Sequence, residues 1–250
     1  ACRISHSLTE TNMAHRAMLA SFDAMVQNEA GEVVLDQGDN FERVLETVQF
    51  MQRLYEAAMT PEVFAWNAAS NNQALIAGRA SYIMNSISAY RSSQEDVPDI
   101  AEDVFFGPAL QGPRGTAWAN AHVIYNYIIP NHAQNPDGAK QFILDLAENY
   151  DMAMYHSKLY NSPSFFDSPI SGNGDYPAVA GASTFRDLHN AWFENDPFKL
   201  PNEADGKLRP LLNAVEWTTN VGHPGVCNPA VAEVYNTYII PNMFSRAVRG

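Results

Sequence analysis

The stretch that decides the fold is Asn71–Tyr90, NNQALIAGRASYIMNSISAY. Its first half is rich in good helix formers, and Gly78 follows them at the position where a residue free to adopt positive φ ends a helix. From Ala80 the sequence becomes a short, mostly apolar run of the kind that forms a buried parallel strand. Ligands bind at the carboxyl ends of strands in α/β sheets, so the polar residues there are binding candidates. They are Asn85, Ser88 and Tyr90.

Composition and charge exclude several classes of protein. The chain has 250 residues, of which 46% are hydrophobic and only 17% charged, so we expect a globular protein with a sizeable core. The net charge of −13 argues against nucleic acid or an anionic membrane surface as a partner, because either would need a basic patch. No apolar run reaches the roughly 18 residues of a membrane-spanning helix, and no secretion signal is visible.

Helical and extended patterns alternate along the chain. The clearest helical pattern runs from Asn40 to Ala58, with apolar residues at steps of three and four. Further helices are predicted from Thr9 or Thr11 to Met25, from Pro136, over Phe185–Phe193, and as one final helix from Asn228. Strands are predicted at Val33–Leu35, Val104–Phe106 and Trp118–Ile129, and an irregular acidic connection at Gln94–Glu102. This alternation predicts an α/β architecture.

The motifs of common catalytic and metal sites are missing from the sequence. The glycine-rich segment 107–115 lacks the P-loop and dinucleotide signatures, and the histidines show no metal-binding spacing. No GxSxG motif is present, and Cys227 has only His223 close in sequence as a base. Cys2 and Cys227 allow at most one bridge, and whether they pair stays open. We therefore predict no catalytic residue, no metal and no cofactor.

Polar and aromatic residues at segment ends are the better functional signal. Sugar and polyol sites combine flat aromatic faces with a few amide, hydroxyl and imidazole groups. Each such residue alone also fits a capping, turn or core role. Their common location at the ends of predicted elements favours a binding cleft. The residues concerned are Ser5, His6, Asn85, Ser88, Tyr90, Trp118, Asn120, Gly222, His223 and Asn228.

Four segments of the sequence resemble one known family. The stretch ASNNQALIAGRASYIMNSISAY resembles the helix, glycine turn and strand of extracellular solute-binding proteins of ABC importers, the carbohydrate-type family 1 group. Three further segments resemble later parts of that family, in the family's order: VFFGPALQGPRG, AHVIYNYIIPNHAQNPDGAKQFILDLAENY and GHPGVCNPAVAEVYNTYIIPNMFSRAVRG. The resemblance covers essentially the whole chain. One departure is Ala20, where relatives often have a tryptophan.

The resemblance implies a periplasmic-binding-protein-like (type II) two-lobe α/β fold, of which mostly the C-terminal lobe is present. It assigns residues 1–119 and 161–250 to the C-terminal lobe and residues 120–160 to the second segment of the N-terminal lobe. Family members are longer than this chain. The expectation is therefore a fragment without the first N-terminal lobe segment and without the terminal helix.

The implied function is capture of a small polar solute, most simply a sugar, oligosaccharide or polyol, without catalysis. Closure of the two lobes would hold the solute for delivery to the permease subunits of an ABC importer. The protein would lie in the periplasm or outside the cell, associated with the membrane through the transporter. A carbohydrate-active hydrolase is the alternative, because a polar, aromatic cleft also suits that chemistry. The ligand-binding residues that this implies are His6, Asn85, Ser88, Tyr90, Asn120 at the hinge, Gly222 and His223.

Overall fold

The computed structural model describes residues 9–119 and 126–250, and within this part the chain is rich in helix. The α-helices are α1 (Thr9–Ser21), α2 (Gly38–Ala58), α3 (Ser70–Ile76), α4 (Ser88–Asp96), α5 (Pro98–Glu102), α6 (Pro136–Glu148), α7 (Tyr150–His156), α8 (Phe185–Glu194), α9 (Pro229–Asn236) and α10 (Ile239–Ala247). Short 3-10 helices occur at Pro61–Phe64, Arg209–Leu211 and Ala214–Glu216.

Extended pairing in these two ranges consists of isolated bridges, Gln27 with Val33, Ala119 with Thr218 and Pro169 with Thr184. The predicted strand after Gly78 is wrong, because the backbone there is irregular and Tyr82 is 50% exposed. The segment Val104–Phe106 is likewise irregular, with Phe105 65% exposed. A buried strand needs both of its faces covered, and these side chains are not. The sheet of the expected α/β architecture is represented here only by the bridges.

Most of the predicted helices are confirmed, because their signals are local. The pattern from Asn40 to Ala58 falls within α2. Gly78 has φ of +66° directly after α3, as a left-handed helix stop requires. At α9 the Asn228 side chain accepts a hydrogen bond from the Val231 amide at 3.0 Å, which satisfies one unpaired donor of the first turn.

One helical prediction and one predicted connection are wrong. The final helix is divided, since Tyr238 takes a left-handed conformation (φ +56°) between α9 and α10. The segment Gln94–Glu102, predicted as an irregular connection, contains the end of α4 and all of α5. Pro98 occupies the first turn of α5, where its missing amide hydrogen leaves no helix bond unmade.

The chain divides into two compact units, each with its own core. The first unit takes Ala1–Asn85, Gly107–His122 and Asn213–Gly250, and the second takes Ser86–Phe106 and Val123–Leu212. In the first, α1, α2 and α10 enclose residues such as Leu19, Met51 and Phe244. These unit boundaries differ from those of the predicted lobe segments 1–119, 120–160 and 161–250, and the assignment of those segments to lobes stays a prediction.

Two buried cations of the second unit, Arg91 and Lys207, have oxygen partners. Arg91 on α4 donates to both carboxylate oxygens of Asp196, at 2.6 and 3.0 Å. Its Nε also donates to the Lys158 carbonyl, at 2.9 Å. Lys207 donates to the carbonyls of Ala101 and Glu102, at 2.6 and 2.8 Å. Every one of these contacts gives a buried cation an oxygen partner, as burial of charge requires.

Candidate functional site

Three polar residues lie on the buried face of α1. His15 and Arg16 follow Asn12 by three and four residues, and Leu19 continues the same face of the helix. All four are buried, with Arg16 6% exposed and the others at most 1%. The Asn12 amide donates to the Tyr235 carbonyl at 2.7 Å. A helix face of this kind normally carries apolar residues, so its polar groups call for a physical reason.

His15 is fully buried. Its ring stacks on Phe244 of α10, with the ring centroids 4.5 Å apart. Neither ring nitrogen has a hydrogen-bond partner in the part of the chain that the structure describes. Burial lowers the pKa of His15 to about 3, because the interior disfavours the charged imidazolium. At neutral pH the residue is therefore an uncharged ring.

Arg16 makes one hydrogen bond to the part of the chain that the structure describes. Its Nη2 donates to the Val221 carbonyl, in the loop that follows the last 3-10 helix. Its Nε and Nη1 have no hydrogen-bond partner among the described residues. Burial lowers the pKa of Arg16 to about 10, so the guanidinium remains charged at neutral pH.

Gln27 holds the loop 219–228 against the rest of the first unit. The fully buried Gln27 amide donates to the carbonyls of Gly222 and Val226, at 2.6 and 2.8 Å. Its oxygen accepts a hydrogen bond from Asn228 at 3.0 Å. Gly222 is required at its position, because a Cβ there would lie 2.3 Å from the Cys227 nitrogen. The loop conformation is therefore set by packing and backbone hydrogen bonds.

An aromatic pair borders this loop. The Trp118 and His223 ring centroids are 5.2 Å apart, with the rings tilted by 47°. The neighbouring Ala119 donates to the Trp217 carbonyl at 2.9 Å and accepts from Thr219 at 2.8 Å, which fixes Trp118 beside the loop. Partial burial lowers the pKa of His223. A half-buried indole beside an uncharged imidazole offers an apolar face with polar edges, as sugar sites do.

A small cavity, here named the α1 pocket, lies between α1 and this loop. Its volume is about 20 Å³, room for one water-sized group. Arg16 lines it together with Asn220, at the exposed mouth, and the half-buried His223. The other lining residues are Leu19, Ala20, Ala24, Met25, Val26 and Thr219.

A larger depression in the same unit, the outer groove, has a volume of about 580 Å³ and is open to solvent. Several of its polar side chains already form hydrogen bonds or ion pairs within the protein. Arg43 pairs with Asp23 at 2.7 Å, and the Asn40 amide donates to the carbonyls of Met25 and Val34 at 2.9 and 2.7 Å. Polar groups that are already satisfied have little left to offer a ligand. The α1 pocket is the smaller cavity but the better candidate site.

The structure brings together some of the residues predicted from the sequence. Gly222 and His223 belong to the same loop, and Trp118 packs against it. Asn85 lies elsewhere in the first unit, where its amide donates to the side chain of Asn72. The two loop residues and Asn85 keep their ligand-binding role as a prediction.

The other predicted residues have different surroundings. Ser88 begins α4, and its hydroxyl lies 3.4 Å from that of Ser86. Tyr90 is 1% exposed inside the core of the second unit and packs edge-to-face on Phe106, so a contact with ligand would require its ring to leave that core. Burial and the nearby charges of Asp196 and Glu203 raise the pKa of Tyr90 well above its usual range. His6 and Asn120 lie outside the described residues.

Sequence reasoning missed the polar residues of α1. The prediction for this helix used its apolar face, Met18, Leu19 and Phe22, and passed over Arg16. A signal was present, because Asn12, His15 and Arg16 share the buried register of Leu19. Polar residues in a buried register indicate either a hydrogen-bond network within the protein or a binding site.

Within residues 9–119 and 126–250, no group of three or more His, Cys, Asp or Glu side chains is placed to hold a metal ion. In the same ranges no helix has the length and apolar character needed to cross a membrane. Cys227 is exposed, and Cys2 lies outside the described residues, so their pairing is untested.

Comparisons with known proteins agree with the resemblance. A family profile described as bacterial extracellular solute-binding protein matches residues 7–149, more than half of the chain. A crystal structure of a candidate oligosaccharide periplasmic-binding protein from Synechococcus sp. MITs9220, in complex with zinc, is similar with a TM-score of 0.64 and 16% identity. The match covers 99% of this chain and 55% of that protein, so the chain spans about half its length. No curated protein matches significantly.

At this identity the likeness to the solved structure shows the fold, which is that of a periplasmic-binding protein. The profile match is independent of it and covers both α1 and the segment 71–90 that decides the fold. The chain therefore belongs to the bacterial extracellular solute-binding protein family.

Proposed function

We propose that this protein is the substrate-binding component of an ABC importer and captures a small polar solute of the sugar, oligosaccharide or polyol type. Family membership supports solute binding, and the similar structure is of a candidate oligosaccharide-binding protein. The observation that carries the proposal for this chain is the Trp118–His223 pair beside the α1 pocket. A half-buried aromatic face next to polar groups suits a ring that carries hydroxyls.

In this proposal the solute is captured by closure of the two lobes around it. The type II fold has two lobes, and a solute that contacts both of them favours the closed form over the open one. The closed protein is then presented to the permease subunits, in the periplasm or outside the cell. His6, Asn85, Asn120, Gly222 and His223 are the residues proposed to contact the solute or border the hinge. Ser88 stays with them as a weaker candidate, and Tyr90 would have to leave its core.

Solute binding is tested by thermal shift and calorimetry on the full-length protein with a panel of sugars, polyols and amino acids. A ligand that binds only the folded state must raise the melting temperature, so a saturable increase with at least one sugar or polyol is expected. Stabilisation by none of them would contradict the proposal. Turnover of a glycoside by the same preparation would favour the hydrolase alternative.

The aromatic pair has a matched control within the same unit. Trp118→Ala should weaken binding of the stabilising sugar by roughly 10-fold, because the loss of one aromatic contact corresponds to about 1.4 kcal/mol. Trp66→Ala removes another partly buried indole, which packs on the core of the first unit and lines neither cavity. It should lower the melting temperature without changing affinity. Equal losses of affinity in both variants would show that Trp118 has no specific role.

A further inference from the structure

The Arg16 side chain has more hydrogen-bonding capacity than its surroundings use. A guanidinium presents several N–H donors in a fixed plane, and among the described residues only Nη2 has a partner, the Val221 carbonyl. Nε and Nη1 have no partner in the described ranges, although Arg16 is only 6% exposed. Buried cations in proteins are normally paired with an anion or with several oxygen acceptors. Arg16 has neither within the part of the chain that the structure describes.

Among the described residues, no carboxylate supplies a counter-charge to Arg16. The nearby groups whose interaction favours the charged guanidinium are Tyr235 and Cys227, and neither is a carboxylate. The positive charge is therefore uncompensated, although the chain as a whole carries −13.

The α1 pocket supplies further donors around that charge. Asn220 uses its oxygen to accept from the Gly222 amide at 3.1 Å, so its NH₂ group is the part available at the exposed mouth. The imidazole of His223 is half-buried at the same cavity. A guanidinium, a primary amide and an imidazole N–H together match an oxyanion, which only accepts hydrogen bonds. The pocket's small volume admits one compact group.

We infer that the α1 pocket binds the carboxylate of an acidic sugar, with Arg16 as the anion-binding residue and the Trp118–His223 pair against the sugar ring. This inference rests on the proposed capture of a sugar-like solute and specifies its chemical class. A carboxylate fits better than a free inorganic anion, because the cavity seats one small group while the adjoining aromatic face requires a ring. The guanidinium then makes charge-assisted hydrogen bonds to the carboxylate oxygens.

The test uses pairs of sugars that differ only in the acid group, glucose with glucuronate and galactose with galacturonate. Glucose 6-phosphate and inorganic phosphate serve as the other anions. Calorimetry on the full-length protein should show at least one uronate binding about 10- to 100-fold more tightly than its neutral partner, the range that a hydrogen bond to a charged group supplies. Arg16→Met should reduce the uronate affinity to that of the neutral sugar and leave the neutral sugar unchanged.

The control variant is Arg53→Gln, which removes an exposed positive charge from the same unit and should change neither affinity. If Arg16→Met does not fold, Arg16→Lys keeps the charge, loses the planar fork and should weaken uronate binding while sparing the neutral sugar.

Each result decides between the two proposals. Neutral sugars that bind equally well to the wild type and to Arg16→Met, with no uronate preference, would overturn the acidic-sugar inference and leave solute capture standing. Inorganic phosphate that binds as tightly as the uronates would also overturn it, in favour of a simple anion site. No binding of any sugar, neutral or acidic, would contradict the proposed function itself.

Discussion

Two buried arginines, one in each unit, have nearly the same exposure and opposite surroundings. Arg91 and Arg16 are each 6% exposed. Arg91 contacts both oxygens of Asp196, the Lys158 carbonyl and the Gln94 side chain. Arg16 has the Val221 carbonyl as its hydrogen-bond partner, with Nε and Nη1 unpaired among the described residues. In the second unit the buried arginine is paired within the fold. In the first unit the buried arginine has two nitrogens without a hydrogen-bond partner among the described residues.

The difference teaches that burial alone does not distinguish a structural charge from a functional one. A buried arginine with carboxylate and carbonyl partners is needed for the stability of the folded protein, because its removal leaves those buried partners unpaired. A buried arginine without them makes the free protein less stable than an apolar residue would. Such a residue is explained when a ligand supplies the missing partner.

The largest expected effect concerns the paired arginine. Arg91→Met leaves Asp196 buried without its cation and should lower the free energy of unfolding by about 3–5 kcal/mol. Urea denaturation measures the change. The double variant Arg91→Met with Asp196→Leu should recover a large part of the loss, because it removes the uncompensated charge. The exposed Arg53→Met is the control and should stay within about 0.5 kcal/mol. A loss for Arg91→Met as small as that would contradict the structural role.

The next effect tests whether the surroundings of His15 exclude a charge on its ring. His15 has a pKa of about 3 in the folded protein and an ordinary value of 6.5, so the unfolded chain takes up its proton first as the pH falls. Stability from this residue is complete above pH 6.5 and is lost progressively from pH 6.5 down to about 3. Between pH 7 and 5 the loss should be about 2 kcal/mol.

His15→Phe removes this titration and keeps an aromatic ring against Phe244. Urea denaturation of both proteins at pH 7 and pH 5 should therefore show a smaller pH-dependent loss in the variant, by about 2 kcal/mol. Any constant change in stability from the altered packing cancels in this difference. Identical losses in both proteins would mean that His15 takes up a proton in the folded state.

A smaller effect tests how the loop beside Arg16 is held. Asn228 caps α9 and also donates to the Gln27 oxygen at 3.0 Å and to the Gly31 carbonyl at 2.8 Å. Asn135 caps α6 by accepting from the Gly138 amide at 2.9 Å. Asn228→Ala should therefore cost about 1 kcal/mol more than Asn135→Ala in the free energy of unfolding. Equal costs would show that the two additional bonds do not stabilise the loop.

The smallest expected effect is the change in stability when the unpaired arginine, Arg16, is replaced. Arg16→Met without ligand should leave the free energy of unfolding within about 1 kcal/mol of the wild type, or raise it, because an uncompensated buried charge is removed. The methionine side chain retains much of the apolar packing of the arginine stem. A loss as large as that expected for Arg91→Met would show that Arg16 has a structural partner and would remove the basis of the comparison.

Much of the helical structure was predictable from the sequence. The spacing in α2, the stop at Gly78 and the cap at Asn228 are interactions between residues a few positions apart, so a local pattern suffices to find them. The strands were not predictable in this way. The run after Gly78 has a suitable composition, but a strand needs a partner strand elsewhere in the chain. The composition of one run does not show whether such a partner is present.

The candidate site was predictable in part. Trp118, Gly222 and His223 were chosen by residue type and position, and the structure gathers all three at one loop. Tyr90 was chosen by the same reasoning and lies in a core, because an amphipathic ring suits either environment. Arg16 was missed because arginine on a helix is usually at the surface.

The sequence by itself determined the existence of most helices, the acidic charge and a recognisable family pattern, because each of these depends on neighbouring residues or on sums over the chain. Only the tertiary structure decided which buried polar groups find partners. Arg91 meets Asp196 across 105 positions of the chain, and Arg16 meets the Val221 carbonyl across 205. Packing alone brings such distant groups together, and for Arg16 it brings no carboxylate within the described residues.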